Sequence, residues 1–182
     1  MGTNSEAMVE ESGKGREGSE VPPCMMYVDK EGAWFHKGAP IIHRELLVLF
    51  YQCLRLDEEG RYIIKFKDQV CRLDVEDTPF VILRTDFVPA GRDGEAERFV
   101  LHLTDHTKED LVPESLSIGP GHVLYCKVKG EQFPARFSRP SYYQIAEYIQ
   151  EEQNTDRYFL YLNKKKYYVE KRPEGRFAPK LH

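Results

Sequence analysis

Two stretches, RYIIKFKDQVCRLDV (residues 61–75) and RYFLYLNKKKYYVEK (residues 157–171), follow one pattern and decide the fold. In each stretch, two runs rich in β-branched and aromatic residues flank a short polar turn, which is typical of a β-hairpin. A helix is predicted before each hairpin, because apolar residues follow helical spacing in HRELLVLFYQCLRL (residues 43–56) and in SYYQIAEYIQEEQ (residues 141–153). A hairpin-like segment that closes on a proline precedes each helix, GAWFHKGAP and GEQFPARFSRP.

The two patterns keep a constant separation along the chain. Equivalent residues lie 96 to 98 positions apart. The matched pairs are Gly32 and Gly130, Phe35 and Phe133, Phe50 and Tyr148, and Arg61-Tyr62 and Arg157-Tyr158. Ser138 is predicted to cap the second helix, with Pro140 in its first turn, where the missing N–H costs nothing. Because four ordered elements match, the sequence predicts an internal duplication.

The region between the copies is rich in strand signals. PFVILRTDF, a glycine-rich turn and RFVLHLT predict a third hairpin, and HVLYCKV predicts one more strand. With no β-α-β alternation, the fold class is α+β, an antiparallel-sheet roll built from two related hairpin–helix–hairpin halves with a β-rich middle. The predicted units are a disordered tail at 1–22, an N-terminal α+β repeat at 23–78, a hairpin-rich middle at 79–128, a C-terminal α+β repeat at 129–172 and a flexible C-terminus at 173–182.

Composition predicts a cytoplasmic globular protein. Of 182 residues, 41% are hydrophobic and 31% charged, and no apolar run approaches the roughly 18 residues that a membrane span requires. The first twenty residues have no apolar segment typical of a secretory signal. The four cysteines form no C-x-x-C pair, so the sequence predicts no disulfide framework, no cysteine zinc site and a reducing compartment. Cys53, inside an apolar run, is expected to be a buried thiol.

Three motifs carry a resemblance to a known family. GAWFHKGAPIIHRELLVLF, LDVEDTPFV and ARFSRPSYYQIAEY resemble, in this order and spacing, the bacterial family catalogued as domain of unknown function 1285, over roughly residues 25–170. The resemblance implies a mixed α+β roll of related halves and a signalling or regulatory role, and it implies no chemistry. The chain departs from the family at HLTDHTKEDLVPESLSIGP (residues 102–120), which is longer and more charged than the turn expected there.

The corner VEDTPF is the most informative polar segment. On an extended chain Asp74 and Glu76 share one face, and Asp77 points the other way. An aspartate before a turn usually accepts a hydrogen bond from the N–H two residues on, but Pro79 has none. Asp77 therefore needs another partner: the Phe80 N–H, an arginine or a ligand. An aspartate–arginine pair that joins the halves and a polar site that uses the same groups are both open.

The sequence favours a non-enzymatic binding module with its site in the cleft between the halves. An anionic small molecule or a partner protein suits the arginines, and no cofactor is expected. The predicted ligand-binding residues are Trp34, His43, Arg44, Asp77, Arg136 and Arg139, although Trp34 also fits a core position. The alternative is a hydrolase-like enzyme with Asp77 or Glu76 as general base, for which the sequence supplies no nucleophile.

Three further motifs suggest phosphate, metal or nucleic-acid binding. The G-x-G-x-x-G match at residues 13–18 lies in the tail without the strand and helix that phosphate binding requires. His102 alternates as a strand residue and His106 lies past the strand end, so no metal site is predicted. Residues 155–182 hold eight Lys and Arg against three Asp and Glu, and nucleic-acid binding there requires lysines and exposed rings on one surface. The net charge of −4 weighs against that hypothesis.

Overall fold

Two α-helices and sixteen strands in three sheets make up residues 21–91 and 94–172, the part of the chain that the computed structural model describes. The predictions for the tail up to residue 20, for the glycine motif at residues 13–18 and for residues 173–182 lie outside this part. Within it, neither helix combines the length and the apolar character needed to cross a membrane.

The first sheet has six strands in the order β3-β2-β1-β6-β5-β4. Their bounds are β1 (Pro23–Val28), β2 (Trp34–His36), β3 (Ala39–Pro40), β4 (Leu54–Leu56), β5 (Tyr62–Phe66) and β6 (Gln69–Val75). Helix α1 (Arg44–Cys53) packs against β5. The predicted hairpin of residues 61–75 is confirmed, because β5 and β6 pair antiparallel from Phe66 opposite Gln69.

The second sheet has seven strands in the order β16-β10-β11-β12-β7-β8-β9, and the third has three in the order β13-β14-β15. Their bounds are β7 (Phe80–Val88), β8 (Arg98–Leu103), β9 (Lys108–Asp110), β10 (Ser117–Ile118), β11 (Leu124–Val128), β12 (Phe133–Phe137), β13 (Ile149–Glu151), β14 (Tyr158–Leu162), β15 (Lys165–Tyr168) and β16 (Glu170–Lys171). Helix α2 (Arg139–Ala146) packs on β7. The predicted hairpins β7–β8 and β14–β15 are both present.

Two of the three sheets are mixed, which corrects the prediction of antiparallel sheets. Strands β1 and β6, β7 and β12, and β10 and β16 pair in parallel. Each parallel pair joins strands far apart in the chain, as parallel pairing requires, because a tight turn reverses the chain direction. Hairpin patterns predict only the local pairs. The coarser prediction of an α+β, strand-rich fold is confirmed.

Both helices end earlier than predicted. Helix α1 ends at Cys53, and Leu54 already pairs with Ile64 in the sheet. Helix α2 ends at Ala146, and Ile149 pairs with Leu160. At each end the apolar residues fit a period of two as well as helical spacing, and the hydrogen bonds of the adjacent hairpin select the strand.

The start of α2 is as predicted. The Ser138 side chain accepts a hydrogen bond from the Ser141 N–H at 3.4 Å, and Pro140 lies in the first turn. The segment before it differs from the prediction, because GEQFPARFSRP holds a turn and the single strand β12. Strand β12 pairs with the preceding β11, so the hairpin begins before GEQFPARFSRP, the segment compared with GAWFHKGAP.

A line of aromatic rings in contact connects the core of the first sheet to that of the second. Trp34 on β2 lies 5.1 Å from Tyr51 of α1, ring centre to ring centre, and Tyr51 lies 5.0 Å from Phe80 on β7. Phe80 in turn lies 5.5 Å from Phe133 on β12. The Tyr51 hydroxyl donates to Thr104 Oγ1 at 2.9 Å, which satisfies its polar end. One continuous core therefore supports both sheets.

A disulfide joins Cys24 on β1 to Cys71 on β6, and the prediction of no disulfide is wrong. The two cysteines are 47 residues apart in sequence, and the parallel pairing of β1 with β6 brings their Cα atoms to 4.9 Å. No local motif predicts that pairing. Cys53 is a buried free thiol, as predicted.

Candidate ligand site at the corner between two sheets

The corner VEDTPF connects β6 of the first sheet to β7 of the second. The carboxylate of Glu76 accepts hydrogen bonds from the Tyr27 hydroxyl at 2.7 Å and the Lys30 N–H at 3.0 Å. Asp77 contacts Tyr125 and Arg136 instead. As the alternation of an extended chain predicts, the two acidic side chains serve opposite sides of the corner.

On the inner side of the corner, Asp77 and Arg136 form a direct, half-buried ion pair. Asp77 Oδ2 accepts from the Arg136 guanidinium at 3.0 Å and from the Tyr125 hydroxyl at 2.9 Å. The side chains of Arg136 and Asp77 are only 25% and 17% exposed. Buried Thr78 adds a second link, because its hydroxyl accepts from the Arg136 N–H and donates to the Phe80 carbonyl. Of the partners expected for Asp77, an arginine is the one observed.

The surroundings of Asp77 hold its neighbours in fixed protonation states. Burial, followed by the charge of Asp77, raises the pKa of Tyr125 to about 12. The same two causes raise the pKa of Tyr62. Burial lowers the pKa of Arg172, whose guanidinium carbon lies 5.3 Å from the centre of the Tyr125 ring. The inner side is therefore packed with protein groups around the Asp77–Arg136 pair, which is an arrangement suited to joining β6, β7 and β12. The Tyr62 hydroxyl is buried there without a hydrogen-bond partner among the described residues.

A pocket of about 430 Å³ lies on the same side of the first sheet as Glu76, and its lining includes Tyr27, the hydrogen-bond partner of Glu76. Tyr27 on β1 lies opposite Phe35 on β2 and opposite Asp74 on β6, so the three side chains form a row across three strands. The Tyr27 and Phe35 ring centres are 6.1 Å apart. The pocket is lined by Met25, Met26, Tyr27, Asp29, Phe35, Lys37, Gly38 and Asp74.

Turn geometry shapes the pocket. The register of β1 against β6 shifts between Pro23 and Tyr27, and Met25 at φ 57 lies in this irregularity. The β2–β3 connection is the two-residue turn Lys37–Gly38, with φ of 49 and 82. Positive φ at both positions is typical of the tightest hairpin turns, and glycine at the second adopts it without strain. The tight turn brings Lys37 to the rim of the pocket.

The pocket is rich in negative charge beside aromatic rings. Asp29 lines it with one carboxylate oxygen bound to the Glu31 and Ala33 N–H groups, and Asp74 is exposed. The hydrogen bond from Tyr27 lowers the pKa of Glu76, and the same bond raises the pKa of Tyr27 to about 12. At neutral pH the corner therefore presents an ionised carboxylate and a protonated phenol.

The Tyr27–Glu76 bond is testable by titration. We expect Glu76→Gln to move the pKa of one tyrosine from about 12 toward the ordinary 10.0, because a neutral amide no longer disfavours the phenolate. The measurement is the phenolate absorbance difference between the variant and the wild type as a function of pH. In a Tyr27→Phe background the substitution should leave the titration unchanged. A shift that persists there would show that another tyrosine is responsible.

No protein-family model matches the sequence, and no curated protein matches it. Two crystal structures of DUF1285 family proteins do match the fold. The first, from Silicibacter pomeroyi DSS-3, has a TM-score of 0.66 at 18% identity and covers 83% of this chain and 81% of its own. The second, from Shewanella baltica OS155, has a TM-score of 0.55 at 19% identity and covers 71% of this chain and 94% of its own. The chain has the DUF1285 fold.

The DUF1285 resemblance read from the three motifs is thus confirmed at the level of fold. Of the six predicted ligand-binding residues, the structure pairs Asp77 with Arg136. Trp34 is 2% exposed and lies in the core, where a ligand has no access to it. His43 and Arg44 are exposed at the start of α1, and Arg139 is exposed at the start of α2. The ligand-binding role of these residues stays a prediction.

The sequence reasoning missed Tyr27, Phe35 and Tyr125. A usable signal existed for the first two. In β1, Met26 and Val28 are buried while Tyr27 faces outward, and in β2 the buried Trp34 precedes the half-buried Phe35. Alternation of this kind identifies exposed aromatic residues on a half-buried sheet. For Tyr125 no such signal exists, because its contact with Asp77 spans 48 residues.

The histidines take the predicted positions. His102 lies on β8 with Nε2 at 2.7 Å from Asp86 Oδ2, and Arg84 binds the other oxygen of Asp86 at 2.6 Å. The bond from Arg84 is the main cause that lowers the pKa of Asp86. His106 lies in the turn after β8. Within the described residues no three His, Cys, Asp or Glu side chains are grouped to hold a metal ion.

Proposed function

We propose that this protein is a non-enzymatic DUF1285 family member that binds a small organic ammonium ligand in the pocket beside Glu76. One observation carries the proposal: the row of Phe35, Tyr27 and Asp74 across β2, β1 and β6, in a pocket of about 430 Å³. This volume is in the range of small-molecule sites. Aromatic faces attract organic cations, and quaternary ammonium groups are recognised by cages of such rings.

Charge supports a cationic ligand. Asp29 and Asp74 line the pocket, and Glu76 is held ionised at its edge by the Tyr27 hydroxyl. Against these carboxylates the lining contributes the single lysine Lys37. A carboxylate beside an aromatic face adds Coulomb attraction to the cation–π attraction.

The anionic ligand expected from the arginines has weaker support. Asp77 neutralises Arg136, and Arg44 and Arg139 are exposed at the starts of two different helices. The general-base alternative is also weakened. Asp77 is occupied by an arginine and a tyrosine, and the lowered pKa of Glu76 moves it away from the near-neutral value that suits a general base.

We further propose that residues 23–78 and 129–172 are copies of one ancestral unit, joined by the hairpin-rich middle 79–128. In each unit a helix leads directly into a three-stranded antiparallel meander, β4–β5–β6 or β13–β14–β15. The registers of the two hairpins agree at a separation of 96 residues, with Ile64 opposite Cys71 and Leu160 opposite Tyr167. The first meander extends into a six-stranded sheet and the second forms its own sheet, so the units have diverged.

A cytoplasmic location stays a proposal, and the Cys24–Cys71 disulfide bears on it. Disulfides persist mainly in oxidising compartments. If Cys24 and Cys71 are free thiols in freshly prepared cytoplasmic extract, the protein is present in the cell in its disulfide-free form. The regulatory role implied by the family resemblance rests on ligand binding and is tested with it.

Calorimetric titration with benzyltrimethylammonium tests the ligand proposal, with benzoate as the anionic probe of similar size. We expect heat of binding from the ammonium probe and none from benzoate. Phe35→Leu, which keeps apolar volume but removes the ring, and Asp74→Asn should each weaken affinity about tenfold. Asp68→Asn, which neutralises an exposed carboxylate in the β5–β6 turn, should leave affinity unchanged. Preferential binding of benzoate would contradict the proposal and restore the anionic ligand.

A further inference from the structure

The third sheet has one face that carries aromatic and cationic side chains together. Phe159 pairs with Tyr168 and Tyr161 pairs with Lys166 across β14 and β15, so these four side chains share a face. Arg157 stands at the end of β14 beside them. We call this set, Arg157, Phe159, Tyr161, Lys166 and Tyr168, the hairpin face.

The opposite face of the same sheet belongs to the core. Leu160 and Leu162 are buried there. Tyr158, on the same face, is 38% exposed at the strand end. Lys165 also lies on that side and binds Glu114. The hairpin face is therefore the opposite side of the sheet, on which Phe159 is buried at 5% exposure under Lys166, while Tyr161 and Lys166 are exposed.

Cations and rings are stacked in pairs on the hairpin face. The Arg157 guanidinium carbon lies 3.9 Å from the centre of the Tyr168 ring, and Lys166 Nζ lies 4.4 Å from that of Phe159. The Tyr161 ring is 47% exposed. Tyr161 and Tyr168 are diagonal neighbours across the strand pair, about 7–8 Å apart at the backbone. Two flat surfaces, the Tyr161 ring and the Arg157–Tyr168 stack, thus lie side by side.

One carboxylate belongs to the same surface. Glu152 accepts from the Tyr168 hydroxyl at 2.8 Å and from Lys166 Nζ at 3.2 Å. It holds Lys166 over the Phe159 ring and reduces the positive charge at that end. Lys164 in the adjacent turn adds a cation at one end of the surface, and Arg157 adds one at the other end.

We propose that the hairpin face binds single-stranded nucleic acid, with one base stacked on Tyr161, a second on the Arg157 guanidinium, and phosphates near Lys164 and Lys166. Bases stack on aromatic and guanidinium planes irrespective of sequence, and lysines beside them neutralise the backbone. The sequence-derived requirement that lysines and exposed rings share one surface is met by Tyr161 and Lys166. This site is separate from the ammonium pocket and does not depend on it.

Fluorescence anisotropy of a labelled oligothymidine tests the inference on the full chain. We expect Tyr161→Ala to weaken binding about tenfold, because loss of one base–aromatic stack has this effect, and Tyr161→Phe to retain it. The matched control is Tyr158→Ala, which removes an exposed tyrosine from the opposite face of the same strand. Lys166→Gln should weaken binding and Lys165→Gln should not.

Binding should also depend on salt. With two to three phosphate contacts, affinity should fall about tenfold between about 50 and 200 mM salt, because the logarithm of the affinity falls with a slope of about −0.7 per contact for a single strand.

Three results would overturn the inference. They are the absence of salt-dependent binding, equal losses in Tyr158→Ala and Tyr161→Ala, and full competition by a polyglutamate of matched charge. The last result would show that the face binds acidic protein segments by charge alone. Circular dichroism of each variant separates loss of binding from loss of fold.

Discussion

Replacing Cys24 and Cys71 together by serine is expected to lower the free energy of unfolding by about 4 kcal/mol. The bond closes a loop with a sequence separation of 47, and closing such a loop removes chain entropy from the unfolded state. It also links β1 to β6 where the parallel register is irregular, so the native pairing loses a covalent support. Urea unfolding monitored by tryptophan fluorescence measures the loss, since Trp34 is a buried residue of β2 in the same sheet.

A reductant provides the matched comparison. Adding it should destabilise the wild type to the level of the double variant and should leave the double variant unchanged. Alkylation of the unfolded, unreduced wild type should modify two cysteines, Cys53 and Cys126, and spare the other two. Modification of all four, or a wild type that is indifferent to reductant, would contradict the pairing.

Asp77→Asn is expected to lower the free energy of unfolding by about 3 kcal/mol. The Arg136 side chain is only 25% exposed, and without Asp77 its charge is left largely buried beside the Tyr125 hydroxyl. Removing one partner of a buried ion pair is far more destabilising than removing an exposed one. Denaturant unfolding gives the value directly, and a double variant with Arg136→Met should recover part of the loss because the uncompensated charge is then gone.

The control is an ion pair of the same kind on the surface. Glu114 and Lys165 lie 3.1 Å apart with side chains 58% and 60% exposed. Glu114→Gln should have little effect on stability, because exposed pairs are screened by water. If Asp77→Asn proves equally harmless, the corner does not join the sheets, and the polar-site interpretation of Asp77 regains support.

Local features of the fold were predictable from the sequence. The β5–β6, β7–β8 and β14–β15 hairpins have short or glycine-rich connections between strand-forming runs, and the Ser138 cap lies next to the helix that it starts. The two helix ends were not predictable, because Leu54 and Ile149 fit a helix and a strand equally well until the hairpin supplies hydrogen bonds.

Long-range features depend on contacts that no local pattern encodes. The parallel pairing of β1 with β6 positions both the disulfide and the Tyr27–Asp74 edge of the pocket. The prediction that Asp77 needs an arginine was possible, because Pro79 removes its usual partner. The choice of Arg136 follows from β12 lying beside β7, with Arg136 opposite Val81.

The central claim is that two neighbouring carboxylates of the corner have different roles. Asp77 joins the two sheets through Arg136, and Glu76 supports the ligand pocket through Tyr27. Urea unfolding of Asp77→Asn and Glu76→Gln, with and without benzyltrimethylammonium at a concentration that saturates the wild type, tests both halves at once. We expect Asp77→Asn to be strongly destabilised yet to gain the same stabilisation from the probe as the wild type. With the probe at about 100 times the wild-type Kd, Glu76→Gln should be nearly as stable as the wild type and gain about half as much stabilisation, as a roughly tenfold weaker site requires. A loss of probe stabilisation in Asp77→Asn, or equal destabilisation of the two variants, would contradict the account.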